Sequence, residues 1–343
     1  MNAIAKPPGA GGGGSSSGEV VPEGVKRIGA LDTGKTGSGV GVAIVDTGLD
    51  FGHQDLAVES LWFDGFGSNA QDQNGHGTHV GGIVGARDNS IDVVGVAPAS
   101  TLYAVRVLDA SGSGSDSTVM GGLEWIWGQN GGDSPAASLM ISVANMSLGR
   151  PGSLTEDDPL HAAVQKLNNQ GVTIVVAAGN DAKTEITQQI PAAYPEVLAI
   201  ASTTAINGTN ACKRASTPIP GDTASYFTTD GSGVAVSAPG EDQENVNRGC
   251  LISSNGILSL KLGGGTTRMS GTSMASPHVA GVAALLVSDG ATDPCTVKKR
   301  IQESADKTGT APLNSPTSSY SFDGVREGIV SATGALASSA ACP

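Results

Sequence analysis

Three short segments gather the residue types a serine nucleophile needs. Val45-Asp46-Thr47-Gly48 places a carboxylate at the end of an apolar run. Asn74-Gly75-His76-Gly77-Thr78-His79-Val80 supplies an imidazole, and Ser270-Gly271-Thr272-Ser273-Met274-Ala275-Ser276-Pro277-His278 a hydroxyl. A serine hydroxyl attacks only when a base takes its proton, and an imidazole does this well only when a carboxylate fixes its tautomer and steadies its positive charge. Each segment alone has a plainer reading. An Asp before Thr-Gly is commonest as a turn residue. His76 and His79, three apart, could bind a metal, although no Glu general base lies between them. Gly271-Thr272-Ser273 before an apolar stretch also reads as a helix N-cap. Together, in the order Asp, His, Ser, they point to nucleophilic catalysis.

Such residues need a frame. Short apolar runs (Val42 to Val45, Leu102 to Leu108, Met140 to Met146, Val172 to Ala178, Val197 to Ala201, Val234 to Ala238) alternate with helical patterns from about His76, over Val119 to Trp127, His161 to Leu167 and Ala275 to Val287. Strands that are apolar throughout belong to a parallel sheet buried on both faces. The expected fold is therefore α/β, a single doubly wound domain with a central, mostly parallel sheet flanked by helices. In such sheets ligands bind beyond the carboxyl ends of the strands, where Asp46 and Asn180 sit. Ala211 to Ser225 and Glu241 to Gly265 read as long loops. Residues 1–18, ending in the Gly/Ser tract Gly11 to Gly18, read as a flexible segment without an apolar signal core, leaving residues 19–343 as the domain. The 343-residue chain carries a formal net charge of −13, which disfavours nucleic acid and anionic membranes as partners. No apolar run approaches the ~20 residues of a membrane-spanning helix.

The three segments resemble the motifs of the subtilisin-like serine proteases, in that family's order. Val96-Ala97-Pro98, Asn145-Met146-Ser147-Leu148-Gly149 and Ala177-Ala178-Gly179-Asn180 extend the likeness over Glu19 to about Ala305. The resemblance implies a serine endopeptidase acting on protein and peptide substrates through an acyl-enzyme on Ser273. His76 would be base then acid, Asp46 its orienting carboxylate, and Asn180, with the Ser273 amide, the oxyanion donors. Pro277 is expected to be tolerated inside the first helical turn, where N–H groups lack partners anyway. Gly112-Ser113-Gly114 and Ser147-Leu148-Gly149 match the two backbone edges that hold an extended peptide. Ala177-Ala178-Gly179 would line the side-chain pocket, with Gln189 near its floor. A catalytically silent binding protein on the same fold is the alternative, but such proteins typically lack a triad member. A metallohydrolase using His76 and His79 would instead lose activity at once to chelators.

The same resemblance implies a structural calcium site: Asp55, the Asn89 amide, carbonyls of Arg87, Ile91 and Val93, and Glu19, a carboxylate where the family usually has an amide. Cys212, Cys250, Cys295 and Cys342 contain no Cys-x-x-Cys pair. Three disulfide pairings are possible; Cys212 with Cys250 and Cys295 with Cys342 is favoured, and free thiols in an intracellular variant are the alternative. Asn207-Gly208-Thr209 fits a glycosylation acceptor, a motif short enough to arise by chance. Cysteines and resemblance together suggest a secreted monomer, with the family's leader and prodomain absent from this sequence.

Overall fold

The structure, a computed structural model, describes residues 1–3, 18–134, 139–212, 215–315, 317 and 323–342. Most of the Gly/Ser-rich segment, residues 4–17, lies outside the described residues. Seven parallel strands form the main sheet: β1 (Gly41–Asp46), β2 (Phe63–Asp64), β3 (Thr101–Arg106), β4 (Val143–Met146), β5 (Thr173–Ala177), β6 (Leu198–Thr204) and β7 (Val236–Glu241), in the spatial order β7-β6-β5-β4-β1-β3-β2. The chain starts this sheet at β1, builds β3 and β2 on one side, then returns to β4 on the other. The switch therefore falls between β1 and β4, whose register pairs Ile44 with Asn145. A crevice beyond the carboxyl ends of these two strands is what this topology offers a ligand.

Alternate residues along each strand enter opposite cores. Val42, Ile44, Leu102, Val143, Val175 and Leu198 face one cluster with Val80, Ile83, Val279 and Leu286. Ala43, Val45, Val105, Met146, Ile174 and Val176 face the other with Val119, Leu123, Leu160 and Val164. The helices that cover these faces are α1 (Glu23–Arg27), α2 (His76–Gly85), α3 (Asp116–Gln129), α4 (Pro159–Asn169), α5 (Thr272–Ser288), α6 (Pro294–Glu303) and α7 (Ala332–Ala337). Helix α5 is buried at every position from Thr272 to Leu286, as expected of a helix that is apolar all round. Among the described residues no helix is long and apolar enough to cross a membrane.

Two segments expected as long loops carry strands. Thr217–Ile219 pairs with Gly208–Asn210, Gln243–Val246 with Ile252–Asn255, and Ile257–Leu260 with Thr266–Met269. Their glycines and asparagines hide short strands whose burial alternates, as in Gln243–Val246. Cys212 is bonded to Cys250 and Cys295 to Cys342, the favoured pairing. Residues 1–3 are not linker: Asn2–Ala3 forms a strand against Leu148–Gly149.

Candidate active site

Asp46 ends β1, an interior strand of the sheet, and is fully buried. Its Oδ1 accepts from His76 Nδ1 at 2.7 Å and from the Thr47 amide at 2.7 Å. His76 opens α2. This contact needs α2 to touch the turn after β1, and glycine permits it: a Cβ on Gly77 would lie 2.1 Å from the Gly48 carbonyl, and Gly48 has φ +105°. Burial disfavours a charged His76 ring, but the Asp46 charge and hydrogen bond, with the Asp72 charge beyond, outweigh it and raise the imidazole above its ordinary value. His79 is different. It is buried against the Ile257 carbonyl (Nε2 to O, 3.1 Å), and burial together with His76 pushes it down to about 3. Among the described residues, the three His, Cys, Asp or Glu side chains close enough to hold a metal ion do not include either imidazole.

Ser273 is the second residue of α5, and its Oγ donates to the Ser147 carbonyl at 3.1 Å. Ser147 follows β4, the neighbour of β1, so Ser273 and His76 lie at the same end of the sheet, at the starts of two packed helices. His76 Nε2 has no hydrogen-bond partner among the described residues. Hydrogen bonds between base and nucleophile are often loose before substrate binds. A frame missed in the sequence holds Ser273: Ser147 Oγ donates to the Ser273 carbonyl (2.9 Å), Asn145 Nδ2 donates to Ser147 Oγ (2.9 Å), and Ser276 Oγ donates to Asn145 Oδ1 (2.6 Å). The only signal was that Asn145 and Ser276 lie inside the recognised motifs. Pro277 is not in the first turn as expected. It is the sixth residue of α5, and the carbonyl its absent N–H would have bonded is that of Ser273.

Asn180 lies three residues beyond β5. Its Oδ1 accepts from the amide and hydroxyl of Thr272, at 2.9 and 3.0 Å, which fixes the side-chain amide beside the start of α5. Ala177 and Ala178 are buried, and a Cβ on Gly179 (φ +122°) would lie 3.4 Å from the Gln189 side chain. The predicted pocket residues are therefore adjacent to one another and to Gln189.

The two predicted peptide-holding edges face a common strand. Asn2 pairs with Gly149 and Ala3 with Leu148 on one side, while Asn2 bridges Ser113 on the other. The Gly114 amide donates to the Met1 carbonyl (2.8 Å), and Met1 N donates to the Gly114 carbonyl (2.6 Å). Gly112 (φ +78°) closes the turn before this edge by donating to the Asp109 carbonyl.

A subtilase family model matches residues 37–322. The chain belongs to the subtilase family. Subtilisin from Bacillus pumilus is 37% identical over 299 residues, 85% of this chain and 94% of that protein. M-protease from Shouchella clausii is 40% identical over 270 residues, 78% of this chain and 59% of the relative. The crystal structure of a cold adapted subtilisin-like serine proteinase aligns with a TM-score of 0.66 and 29% identity, covering 89% of this chain and all of the other. For a subtilase the α/β order found here is the expected architecture.

The predicted cation loop of this subtilase also comes together. Glu19 Oε1 accepts from the amides of Asn89 (2.7 Å) and Ser90 (3.1 Å), Asn89 Oδ1 accepts from Ile91, and Asp55 Oδ2 accepts from Val93 (3.3 Å). The Arg87 amide donates to the Asp55 carbonyl. Asp55 is buried, its Oδ1 has no partner among the described residues, and burial, with Asp92 and Glu19 nearby, pushes its carboxyl up to about 7. A buried carboxylate with other acidic groups beside it fits a hard cation, which would remove the cost of that burial.

Proposed function

We propose that this serine endopeptidase cleaves peptide bonds through an acyl-enzyme on Ser273, with His76 and Asp46 as its base and orienting carboxylate. The observation that carries the reading is the 2.7 Å bond from His76 Nδ1 to Asp46, which leaves Nε2 as the proton acceptor beside the helix that presents Ser273. His76 takes the Ser273 proton as Oγ attacks the scissile carbonyl, then gives that proton to the leaving amine. Water attacks the acyl-enzyme in the second half, with His76 again as base, releasing the acid and restoring Ser273. The developing oxyanion is met by the Ser273 amide, at a helix N-terminus where donors lack intrahelical partners, and by the Asn180 side-chain amide.

Substrate is held as an extended strand between Gly112-Ser113-Gly114 and Ser147-Leu148-Gly149, the groups that residues 1–3 pair with. Backbone pairing of this kind serves many sequences, and side-chain selection falls to the pocket beside Ala177-Ala178-Gly179. Calcium, held by Glu19, Asp55, Asn89 and the carbonyls of Arg87, Ile91 and Val93, supplies positive charge that stabilises the fold. The two disulfides fit secretion to an oxidising compartment.

Replacing Ser273 with Ala tests the assignment. The variant is expected to lose hydrolysis of peptide substrates and labelling by serine-directed acylating or phosphonylating reagents. Retention of full activity would overturn it.

A further inference from the structure

We infer that Asp72 is a positioning residue for His76: its buried carboxylate ties the turn after Asp46 to the first turn of α2 and places a second negative charge behind the imidazole. The inference rests on the proposed roles of Asp46, His76 and Ser273.

Asp72 is 3% exposed and collects five hydrogen bonds. Oδ1 accepts from the Thr47 hydroxyl (2.9 Å) and the amides of Asn74 and Gly75 (each 2.9 Å). Oδ2 accepts from the amide of Thr78 (2.9 Å) and its hydroxyl (2.6 Å). Both hydroxyls are committed as donors to Asp72, because each accepts from an amide: Thr47 Oγ1 from Gly77 (2.9 Å) and Thr78 Oγ1 from Asp50 (3.1 Å). Every partner of Asp72 is thus a donor, and a carboxylate, acceptor-only, is the side chain that satisfies all five.

These bonds link two pieces of chain that must keep a fixed separation. Thr47 follows Asp46 directly. Gly75, Gly77 and Thr78 flank His76 on either side. The 2.7 Å contact between Asp46 and His76 is consequently set by a covalent neighbour of each, both fastened to one carboxylate. Capping alone would need less, since a side chain that satisfies one or two amides suffices at a helix start. Here the carboxylate also reaches across to β1. Electrostatics adds a second effect: Asp72 favours the imidazolium that forms when His76 takes the serine proton. The groups facing His76 are Asp46 from β1, Asp72 from the loop before α2 and His79 from α2 itself, and His79, pushed down to about 3, is uncharged at working pH.

The test compares Asp72→Asn, Asp72→Glu and Thr47→Val with the parent, reading kcat and KM for a peptide substrate across pH, with thermal unfolding alongside. Asp72→Asn removes the charge and turns an N–H₂ toward amide donors. It is expected to lower plateau kcat by about tenfold with KM within twofold, and to move the acid limb of kcat/KM down by about half a pH unit. Asp72→Glu keeps the charge, so its acid limb is expected to stay in place. Thr47→Val keeps the carboxylate and cuts one tether, with an expected fall in kcat of about fivefold and no limb movement. An Asp72→Asn enzyme whose limb does not move, and whose activity falls only with its folded fraction, overturns the inference. If Asp72→Asn does not fold, Thr47→Val decides: kcat within twofold of the parent overturns the inference. Failure of the parent enzyme to hydrolyse peptides or to label at Ser273 would instead refute the proposed function.

Discussion

Asn145→Ala removes the centre of the frame behind the nucleophile. The side chain is fully buried and makes two hydrogen bonds, to Ser147 Oγ and from Ser276 Oγ. Losing them costs about 1 kcal/mol each, the stranded Ser276 hydroxyl adds ~1–2 kcal/mol, and the space left by the carboxamide about 1 kcal/mol more. The expected loss is ~4–5 kcal/mol of folding stability, near the upper end for single substitutions. Ser276→Ala removes one bond, strands the buried Asn145 Oδ1 and keeps the link to Ser147, so it should cost about 2–3 kcal/mol. Urea unfolding of both variants in a Ser273→Ala background, where unfolded chains are not digested, gives the comparison. In the active enzyme Asn145→Ala should also lower kcat/KM, since Ser147 touches Ser273 through its carbonyl and its hydroxyl. A stability loss below ~1 kcal/mol for Asn145→Ala, or equal losses for the two variants, would refute this account of the frame.

Acid should withdraw the stability contributed by two buried histidines, beginning near pH 6.5. Burial holds His278 down to about 4 and His79, also beside His76, down to about 3, so the unfolded chain takes up these protons first. The stability their neutral burial gives is complete above ~6.5 and falls by ~1.4 kcal/mol per pH unit for each below it. His76, raised instead, contributes stability that is already full below ~6.5 and cannot offset this decline. Asp242 and Glu327, pushed up by burial to about 6 and about 8, act in the opposite direction, so urea midpoints of the parent and of His278→Gln between pH 7 and pH 4.5 isolate the histidine contribution, and equal slopes for the two contradict it. Chelation should lower the unfolding temperature while leaving the initial hydrolysis rate unchanged. At calcium a hundredfold above its dissociation constant the loss is about 2.7 kcal/mol, and Asp55→Ala should abolish the response. Deleting residues 1–3 should lower KM for peptides at least ~2-fold without changing kcat, because Met1, Asn2 and Ala3 occupy the backbone groups assigned to substrate. An unchanged KM would show that the strand does not compete.

The sheet was legible because its strands are apolar throughout, and the Asp46, His76, Ser273 and Asn180 assignments because each closes a motif. What escaped did so for physical reasons. Helix α6 buries only Val297 and Ile301, four residues apart, so its apolar stripe is too thin to stand out, although Asp293-Pro294 was a readable start. The strand at residues 2–3 gains its order from partners more than a hundred residues away, which no local pattern encodes. Asp72 belongs to no motif singled out in the sequence. Its importance arises from Thr47 and Thr78, brought to it from two different elements.

Pro277 shows how the same constraint shapes the nucleophile. In the interior of a helix a proline leaves the carbonyl four residues earlier without its N–H partner. Here that carbonyl belongs to Ser273, and Ser147 Oγ supplies the missing donor at 2.9 Å. The helix thus gives up one internal bond and gains a tether from the end of β4 to the nucleophile's own backbone, while burial of every residue to Leu286 keeps α5 in place. Asp46 is held by the sheet, Ser273 by an apolar helix with a borrowed donor, and His76 by the start of a ten-residue helix whose Gly75 and Thr78 amides donate to Asp72. The start of the helix that carries His76 is fastened by the polar network of Asp72, Thr47 and Thr78. Small changes in the network around it should therefore alter catalysis before they alter folding.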